Sequence, residues 1–330
     1  MAIQKRTIGI VGTGNVGVAA AYAMFIQRTA SDIILLDKDQ SRAEGEALDL
    51  MHGQTFAGPA RVRVGDYPDL AGAQVIVIAA GVSQRPGESR LDLMERNVAV
   101  FRAILSELDQ HAPNALLVIA TNPVDVLTYV AQALSTRPAQ RIIGTGTMLD
   151  TARFRALLGE HYGVDPRSVH AYILGEHGDT EFPVWSDARI GGLRLVGNVI
   201  NGRPYDRPAL DAIFEQTRRS AYDIIDRKGY TNLAIGLVIA RLVQTILDGQ
   251  HSVLPVSVRL QGEYGLTDVC LSLPSIVSEQ GLETSILPEL DTDELAALRA
   301  SASLLRERIA EAFPSAGELP SGDAVQPPGG

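Results

Sequence analysis

Residues 7–17 read TIGIVGTGNVG, a short apolar run that passes directly into three spaced glycines, and this segment indicates the fold class. The apolar run 7–11 predicts a strand, residues 18–27 predict a helix, and residues 32–37 predict a second strand. A strand, a glycine turn, a helix and a strand within roughly 30 residues begin a dinucleotide-binding sheet. We therefore predict an α/β fold with a Rossmann-type, doubly wound parallel sheet.

The glycines of this stretch predict a cofactor. Gly12 suits a tight turn, Gly14 a close approach of the backbone to a pyrophosphate, and Gly17 the packing of helix against strand. A glycine turn without a ligand is the alternative, but the flanking strand and helix and a following acid disfavour it. That acid, Asp37, would bind the ribose hydroxyls and repel a 2′-phosphate, which favours NAD over NADP. Val16 is the other contact that we predict in this loop.

Two polar segments follow further predicted strands, at residues 75–79 and 115–119, and therefore lie where ligands gather in such sheets. The first, 81–90, is rich in glycine and charge, and reads equally as a solvated loop or an active-site lid. Its first residue, Gly81, is a predicted cofactor contact. In the second segment, Asn122 can hydrogen-bond a carbonyl or amide, although Asn-Pro is also a turn signal.

The stretch 148–179 carries the candidate chemistry. Asp150 and Arg153 are three residues apart at a predicted helix start, so both side chains can reach one site. His177 follows the apolar run 171–174, which predicts a strand that ends there. Each residue alone has an ordinary explanation as a helix cap, a solvated cation or a turn. Together they suit proton transfer beside a bound carboxylate, because arginine binds carboxylates and an acid orients a histidine.

The composition limits the other possibilities. The 330 residues, 45% of them hydrophobic, can bury a large core, and a net charge of -10 argues against nucleic acid and anionic membranes as partners. The single cysteine, Cys270, excludes an intrachain disulfide and a cysteine metal cluster, and we predict no metal site. Because no signal peptide is recognisable at the start, we expect a cytoplasmic protein.

The second half of the chain has a different pattern. Short β-like segments at 188–200, 253–260 and 268–274 alternate with long predicted helices, which indicates a mixed α+β substrate domain. These helices cover residues 207–228 and 231–247, and a last helix starts at Asp291. We divide the chain into an NAD-binding domain (1–147), a catalytic domain (148–313) and a disordered tail (314–330) that is rich in proline and glycine.

The motifs occur in the order seen in bacterial L-lactate dehydrogenases, within the lactate/malate dehydrogenase family, and the chain resembles that family from about residue 7 to 313. The motifs are Gly12-x-Gly14-x-x-Gly17 with Asp37, QRPGESR at 84–90, TNP at 121–123, Asp150-x-x-Arg153, GEHGD at 175–179 and KGYT at 228–231. The joint pattern is highly specific. It implies NAD, lactate and pyruvate as ligands, and a homotetramer.

One position separates the lactate from the malate branch of the family. Malate dehydrogenases carry Arg where this sequence has Gln84, because oxaloacetate brings a second carboxylate that needs a cation. The segment Gly144-Thr145-Gly146-Thr147 also resembles the lactate branch. Malate dehydrogenase is therefore the runner-up.

The resemblance also implies roles. Arg153 would hold the substrate carboxylate, His177 would exchange the proton, and Asp150 would hold the imidazole ring. Arg90 would arrive when the loop closes and stabilise charge on the carbonyl oxygen. The remaining pocket residues would be Gln84, Asn122 and Thr231.

Two rival classes explain fewer residues. A catalytically silent NAD-binding module accounts for the glycine loop but not for Arg90, Asp150, Arg153 and His177 together. The NAD- and metal-dependent glycosidases of similar fold use a cysteine where this chain has Thr121.

A regulatory site is implied by two further residues. Arg155 lies two positions after Arg153, about 200° around a helix, so it points away from the active site. His170 is predicted to begin the strand that ends at His177. Without the resemblance these are an ordinary surface arginine and strand histidine. Allosteric bacterial lactate dehydrogenases carry Arg and His at the matching positions, as a fructose 1,6-bisphosphate site between subunits.

Overall fold

The computed structural model describes residues 6–82, 87 and 89–313, without the side chain of Arg90. The helices in this part are α1 (Asn15–Gln27), α2 (Gln40–His52), α3 (Gln54–Ala57), α4 (Arg90–His111), α5 (Val124–Leu134), α6 (Met148–Tyr162), α7 (Arg207–Lys228), α8 (Leu233–Leu247) and α9 (Thr292–Ala312). Short 3-10 helices lie at Tyr67–Gly72, Ala139–Arg141, Pro166–Ser168 and Glu263–Gly265.

The strands of the first half are β1 (Thr7–Val11), β2 (Asp32–Leu36), β3 (Arg61–Val64), β4 (Val75–Ile78), β5 (Leu116–Ile119) and β6 (Ile142–Gly144). Those of the second half are β7 (Val169–His170), β8 (Ile173–Leu174), β9 (Phe182–Pro183), β10 (Arg189–Ile190), β11 (Leu193–Arg194), β12 (Val199–Ile200), β13 (Arg203–Pro204), β14 (Ser252–Gln261), β15 (Thr267–Ser278) and β16 (Gly281–Ser285).

One sheet of nine strands organises the described part of the molecule, in the order β3-β2-β1-β4-β5-β6-β14-β15-β16. The strands from β3 to β6 are parallel to one another, and β14 joins β6 in the antiparallel sense, with Ser257 opposite Gly144. The strand order reverses between β1 and β4, which creates the crevice where such sheets bind ligands. The predicted doubly wound fold is confirmed.

Helices cover both faces of the sheet because its central strands are apolar on both sides. Ile10 and Ile33 pack with the α1 side, whereas Ile34 and Ile76 pack in a second core with Phe101 of α4. Burial of apolar surface, which contributes about 25 cal/mol for each Å², is the main stabilising contribution of such cores. The result is a closely packed sheet whose loops can carry ligands.

The two halves of the chain are closely packed. α8 lies against α1 so tightly that a Cβ on Gly236 would come within 2.7 Å of the carbonyl carbon of Ala19. The sheet also continues across the predicted domain boundary, because β14 pairs with β6. The predicted tail, 314–330, lies outside the described residues. No helix that the structure describes is both long and apolar enough to cross a membrane.

Three predicted element bounds need correction. α1 begins at Asn15 rather than at residue 18, because extended Gly14 serves as its N-cap, and α8 begins at Leu233 rather than at residue 231. The single strand predicted from His170 to the His177 turn is also wrong. It is two short strands, in which β7 pairs with β10 and β8 pairs with β9.

The interruption of that strand has a clear cause in the backbone hydrogen bonds. The carbonyl of Ala171 accepts from Nε of Arg155 at 2.8 Å, and the carbonyl of Tyr172 accepts from the Val184 amide at 2.9 Å. These partners replace a continuous ladder, so β7 and β8 belong to different sheets.

Candidate active site

The glycine loop between β1 and α1 has the close contacts that a dinucleotide site requires. A Cβ on Gly17 would lie 1.9 Å from the carbonyl oxygen of Gly12, so only glycine lets the helix pack here. Gly12 has a φ of 101°, and a Cβ there would meet the Ala80 amide nitrogen at 2.5 Å. By contrast, a Cβ on Gly14 would have no described heavy atom within 4 Å. The loop is therefore open on the side of Gly14.

Asp37 is held in the ionised state beside this loop. Its Oδ2 accepts from the Thr13 amide at 2.7 Å and from the Thr13 hydroxyl at 2.9 Å, and its Oδ1 accepts from the Asp39 amide at 3.0 Å. Burial opposes the charge, but these hydrogen bonds outweigh it and lower the pKa of Asp37. An ionised acid of this kind suits the hydroxyls of a ribose and disfavours a phosphate.

These residues fit an NAD-type dinucleotide. α1 begins directly after Gly14, which has no side chain to cap the first amides, and half-buried Val16 lies in its first turn. Free amides at a helix N-terminus bind phosphates well. The loop, the helix start and Asp37 thus offer an anion site and a ribose acceptor in one crevice.

The ends of β4 and β5 bring two more predicted contacts to this edge. Oγ1 of Thr121 donates to the carbonyl of Ala80 at 2.7 Å. A Cβ on Gly81 would come within 2.7 Å of the Thr121 methyl group, so glycine is needed for this approach. Asn122, the next residue, is exposed. Gly81 and Asn122 are therefore neighbours at the ligand edge of the sheet.

His177 and Asp150 form a direct pair. Nδ1 of His177 lies 2.6 Å from Oδ2 of Asp150, a buried side chain in the first turn of α6. Because Nδ1 faces the carboxylate, Nε2 is the ring nitrogen left to exchange a proton. Nη1 of Arg153 donates to the other carboxylate oxygen, Oδ1, at 3.1 Å. The predicted acid, histidine and arginine do converge.

The electrostatics of the pair favour a charged imidazole. Burial disfavours the charge on His177, but the Asp150 carboxylate outweighs burial and raises the pKa of His177 to about 9. Burial likewise acts against the charge on Asp150, yet His177 and then Arg153 lower its pKa. At neutral pH the site therefore holds an imidazolium that can donate a proton.

The loop that carries His177 is held by residues that the sequence did not point out. The amide of His177 donates to Oδ2 of Asp125 at 2.7 Å, and Ser257 of β14 donates to its other oxygen at 2.5 Å. On the opposite side, the Glu176 amide donates to Oγ of Ser301 in α9 at 2.7 Å. The histidine is thus fixed from α5, the sheet and α9. The sequence feature that could have indicated Asp125 is its position two residues after Pro123.

Another buried acid lies at this site. Glu181 is 6% exposed. One carboxylate oxygen of Glu181, one of Asp150 and a ring nitrogen of His177 all lie within 4.8 Å of one another. Burial, and then the charge of Asp150, raise the pKa of Glu181 to about 9. The sequence did not indicate this residue, because an acid in a polar loop reads as solvated.

Of the other predicted site residues, only Thr231 has its whole side chain in the described part of the chain. Gln84 lies outside the described residues, as does the side chain of Arg90, the first residue of α4. Thr231 lies in the short link between α7 and α8.

Arg155 lies apart from the active-site arginine, as its helical position predicted. Its guanidinium stacks on the Tyr172 ring, 4.9 Å from the centroid, whereas Arg153 contacts Asp150. His170 is exposed and lies opposite Arg189 in the pairing of β7 with β10. This region thus holds two arginines, Arg155 and Arg189, of which Arg189 pairs with Asp187 at 2.8 Å.

Comparison with known proteins identifies the family. The NAD-binding domain model of the lactate/malate dehydrogenases matches residues 6–144, and their α/β C-terminal domain model matches residues 147–315. The chain belongs to the lactate/malate dehydrogenase family. Members of this family are NAD-dependent oxidoreductases, so NAD is the cofactor that the glycine loop and Asp37 would hold.

Individual relatives of this dehydrogenase cover nearly its whole length. An L-lactate dehydrogenase of Salinibacter ruber is 60% identical over 310 residues, which are 94% of this chain and 98% of the relative. One from Priestia megaterium is 45% identical, with the same coverage of both chains. The solved minor L-lactate dehydrogenase of Enterococcus mundtii, in a ligand-bound form, has a TM-score of 0.90 at 41% identity, covering 92% of this chain and 98% of its own.

Proposed function

We propose that this dehydrogenase interconverts (S)-lactate and pyruvate. The observation that carries the proposal is the 2.6 Å contact between His177 and Asp150, with Arg153 beside it. This arrangement can supply a proton next to a bound carboxylate. The names of the relatives, L-lactate dehydrogenases from several bacteria, support the choice of substrate. The test is NADH oxidation with pyruvate, compared with oxaloacetate.

Arg153 binds the substrate carboxylate with paired hydrogen bonds and so orients C2 in the site. In pyruvate reduction, charged His177 donates its Nε2 proton to the carbonyl oxygen. In lactate oxidation, neutral His177 accepts the hydroxyl proton, and Asp150 stabilises the imidazolium that results. NAD supplies the hydride chemistry when it is bound, and the protein supplies position and charge.

Four further residues complete the proposed pocket. Arg90 stabilises the charge that develops on the carbonyl oxygen when the loop closes. Gln84 faces the pyruvate methyl group, and Asn122 and Thr231 place the substrate and the nicotinamide. We assign these roles from the sequence motifs, with Asn122 supported by its position after β5.

Oxidation of malate is the alternative function. It would need a cation to pair with the second carboxylate of oxaloacetate, and Gln84 is neutral. An unpaired carboxylate in a closed pocket is costly, so pyruvate is the preferred substrate.

We also propose that fructose 1,6-bisphosphate activates the enzyme through Arg155 and His170. The support is that both lie on one surface region, where Arg189 is the cross-strand neighbour of His170. Phosphates would neutralise the repulsion between these cations across a subunit interface.

Assembly as a homotetramer and a cytoplasmic role in glycolysis or fermentation complete the proposal. Large apolar side chains support assembly, because they are exposed on α1, α2, α3 and α8, helices that pack around α1, and exposed apolar patches mark interfaces. They are Tyr22, Ile26, Leu48, Phe56, Leu233 and Leu237. For the chain itself we keep a cofactor domain at 1–147 and a catalytic domain at 148–313.

A further inference from the structure

Glu181 is a buried acid with an unusual environment. It follows His177 by four residues, directly before β9, and only 6% of its surface is exposed. Its Oε1 is buried and has no hydrogen-bond partner among the described residues. Such an oxygen is tolerable on a neutral carboxyl group but costly on a carboxylate, which needs donors when water is excluded.

The charged groups around Glu181 do not provide a full counter-charge. From α6 it faces the negative Asp150 and the positive Arg153, from its own loop His177, and from α7 Arg218. Arg153 donates to Asp150, and Arg218 donates to exposed Glu215 at 2.8 Å. Both arginines are therefore already paired with a carboxylate other than that of Glu181.

On α9, which packs against β9, Arg308 is also committed to another acid. Arg308 is paired with Glu176, whose carboxylate also accepts from the Thr180 hydroxyl at 2.5 Å. The surroundings of Glu181 thus favour a bound proton, in agreement with a pKa raised to about 9 by burial and by Asp150.

We propose that Glu181 sets the charge of the substrate pocket. As a neutral acid it leaves the open site, formed by Asp150, Arg153 and charged His177, with one net positive charge, which attracts the negative charge of a 2-oxo acid. As a carboxylate it cancels that charge and weakens substrate binding. This inference deepens the proposed function and rests on it. Glu181 acts here through the pocket, without contact to the reacting atoms.

The proposal predicts two proton losses, rather than one, in the alkaline range of pyruvate reduction. Both His177 and Glu181 must hold a proton, so kcat/KM for pyruvate should fall about 100-fold for each pH unit at the alkaline limit, against ~10-fold for one group. In Glu181→Gln only His177 titrates, and the fall should be ~10-fold. Loss of the Glu181 proton should raise KM rather than lower kcat, because ionised Glu181 still favours the charged imidazole that donates the proton.

Two variants control this comparison. Glu181→Asp keeps an acid and should restore the steep fall. Asp179→Asn removes an exposed acid from the same loop and should also keep it. A ~10-fold fall in the wild type, or identical profiles in the wild type and Glu181→Gln, would overturn the inference. An enzyme that does not oxidise NADH with pyruvate would instead overturn the proposed function.

Infrared spectroscopy of the wild type tests the proton directly, even if a variant fails to fold. At a pH between about 6 and about 9, Asp125 has lost its proton and Glu181 retains it. A protonated-carboxyl band should persist in this range and disappear as pH rises further. Its absence throughout this range would show that Glu181 is ionised and would overturn the inference.

Discussion

Nδ1 of His177 and Oδ2 of Asp150 lie 2.6 Å apart, and this contact commits one side of the imidazole ring to a buried carboxylate. The proton that reaches the substrate must therefore leave from Nε2. Burial alone would lower the pKa of His177, so its value of about 9 depends on Asp150.

Replacing the histidine should remove the proton donor and leave the cofactor site intact. His177→Asn keeps the size of the side chain but does not titrate, so turnover of pyruvate should fall by at least ~100-fold. NADH affinity, measured by fluorescence titration, should barely change. His111→Asn on α4 is the matched control and should retain turnover. Near-normal turnover of His177→Asn would exclude this residue as the donor.

Removing the charge of Asp150 should move the pH profile in a defined direction. In Asp150→Asn the burial of His177 is no longer offset, so its pKa should fall from about 9 to its ordinary 6.5 or lower. Pyruvate reduction needs the charged imidazole, so the alkaline limit, the pH above which activity falls, should move to lower pH. The pH dependence of kcat/KM for pyruvate measures this shift. An unchanged limit would mean that another group controls it.

Asp125 should make stability depend on pH. Burial raises its pKa from 3.8 to about 6, so its favourable contribution to folding is complete below 3.8 and is lost as pH rises through about 6. The loss is about 3 kcal/mol at most. Relative to Asp125→Asn, the Tm of the wild type should therefore fall as pH rises over this interval.

A second variant reports on the same carboxylate. Ser257 donates to Asp125 and lowers its pKa, so Ser257→Ala should move the loss of Tm to higher pH. If the Tm difference between wild type and Asp125→Asn is constant with pH, the raised pKa is contradicted.

Fructose 1,6-bisphosphate should lower the apparent KM for pyruvate, because its phosphates pair with Arg155 and relieve repulsion between cations. Pyruvate saturation with and without the bisphosphate measures the effect. Arg155→Gln should lose most of it, whereas Arg167→Gln, at an exposed arginine just before β7, should retain it. Superimposable wild-type curves would reject the effector site.

Much of the architecture could be predicted because local signals agreed with the fold. The glycine spacing at 12–17 fixed the first turn, and the apolar runs became β1, β2, β4 and β5 within a residue or two. The helix α5 was not predicted. Its residues 124–132 are all buried, so the segment shows no polar face that would distinguish a helix from a buried strand.

The active-site pair could be predicted, but its surroundings could not. Asp150 and Arg153 share a helix face, and His177 follows a strand that ends nearby, so local spacing already indicated convergence. Asp125 and Glu181 act through burial, which depends on how α5, α6 and α7 pack around the loop. The same limit explains His170, where contacts to residues distant in sequence break a strand that is locally apolar.

The choice of substrate is the central claim, and NADH oxidation with pyruvate and with oxaloacetate, side by side, tests it most directly. The wild type should prefer pyruvate in kcat/KM. Gln84→Arg should invert the preference, changing the ratio by ~100-fold or more, because a buried charge pair is worth a few kcal/mol. A wild-type enzyme that already prefers oxaloacetate would contradict the assignment to lactate.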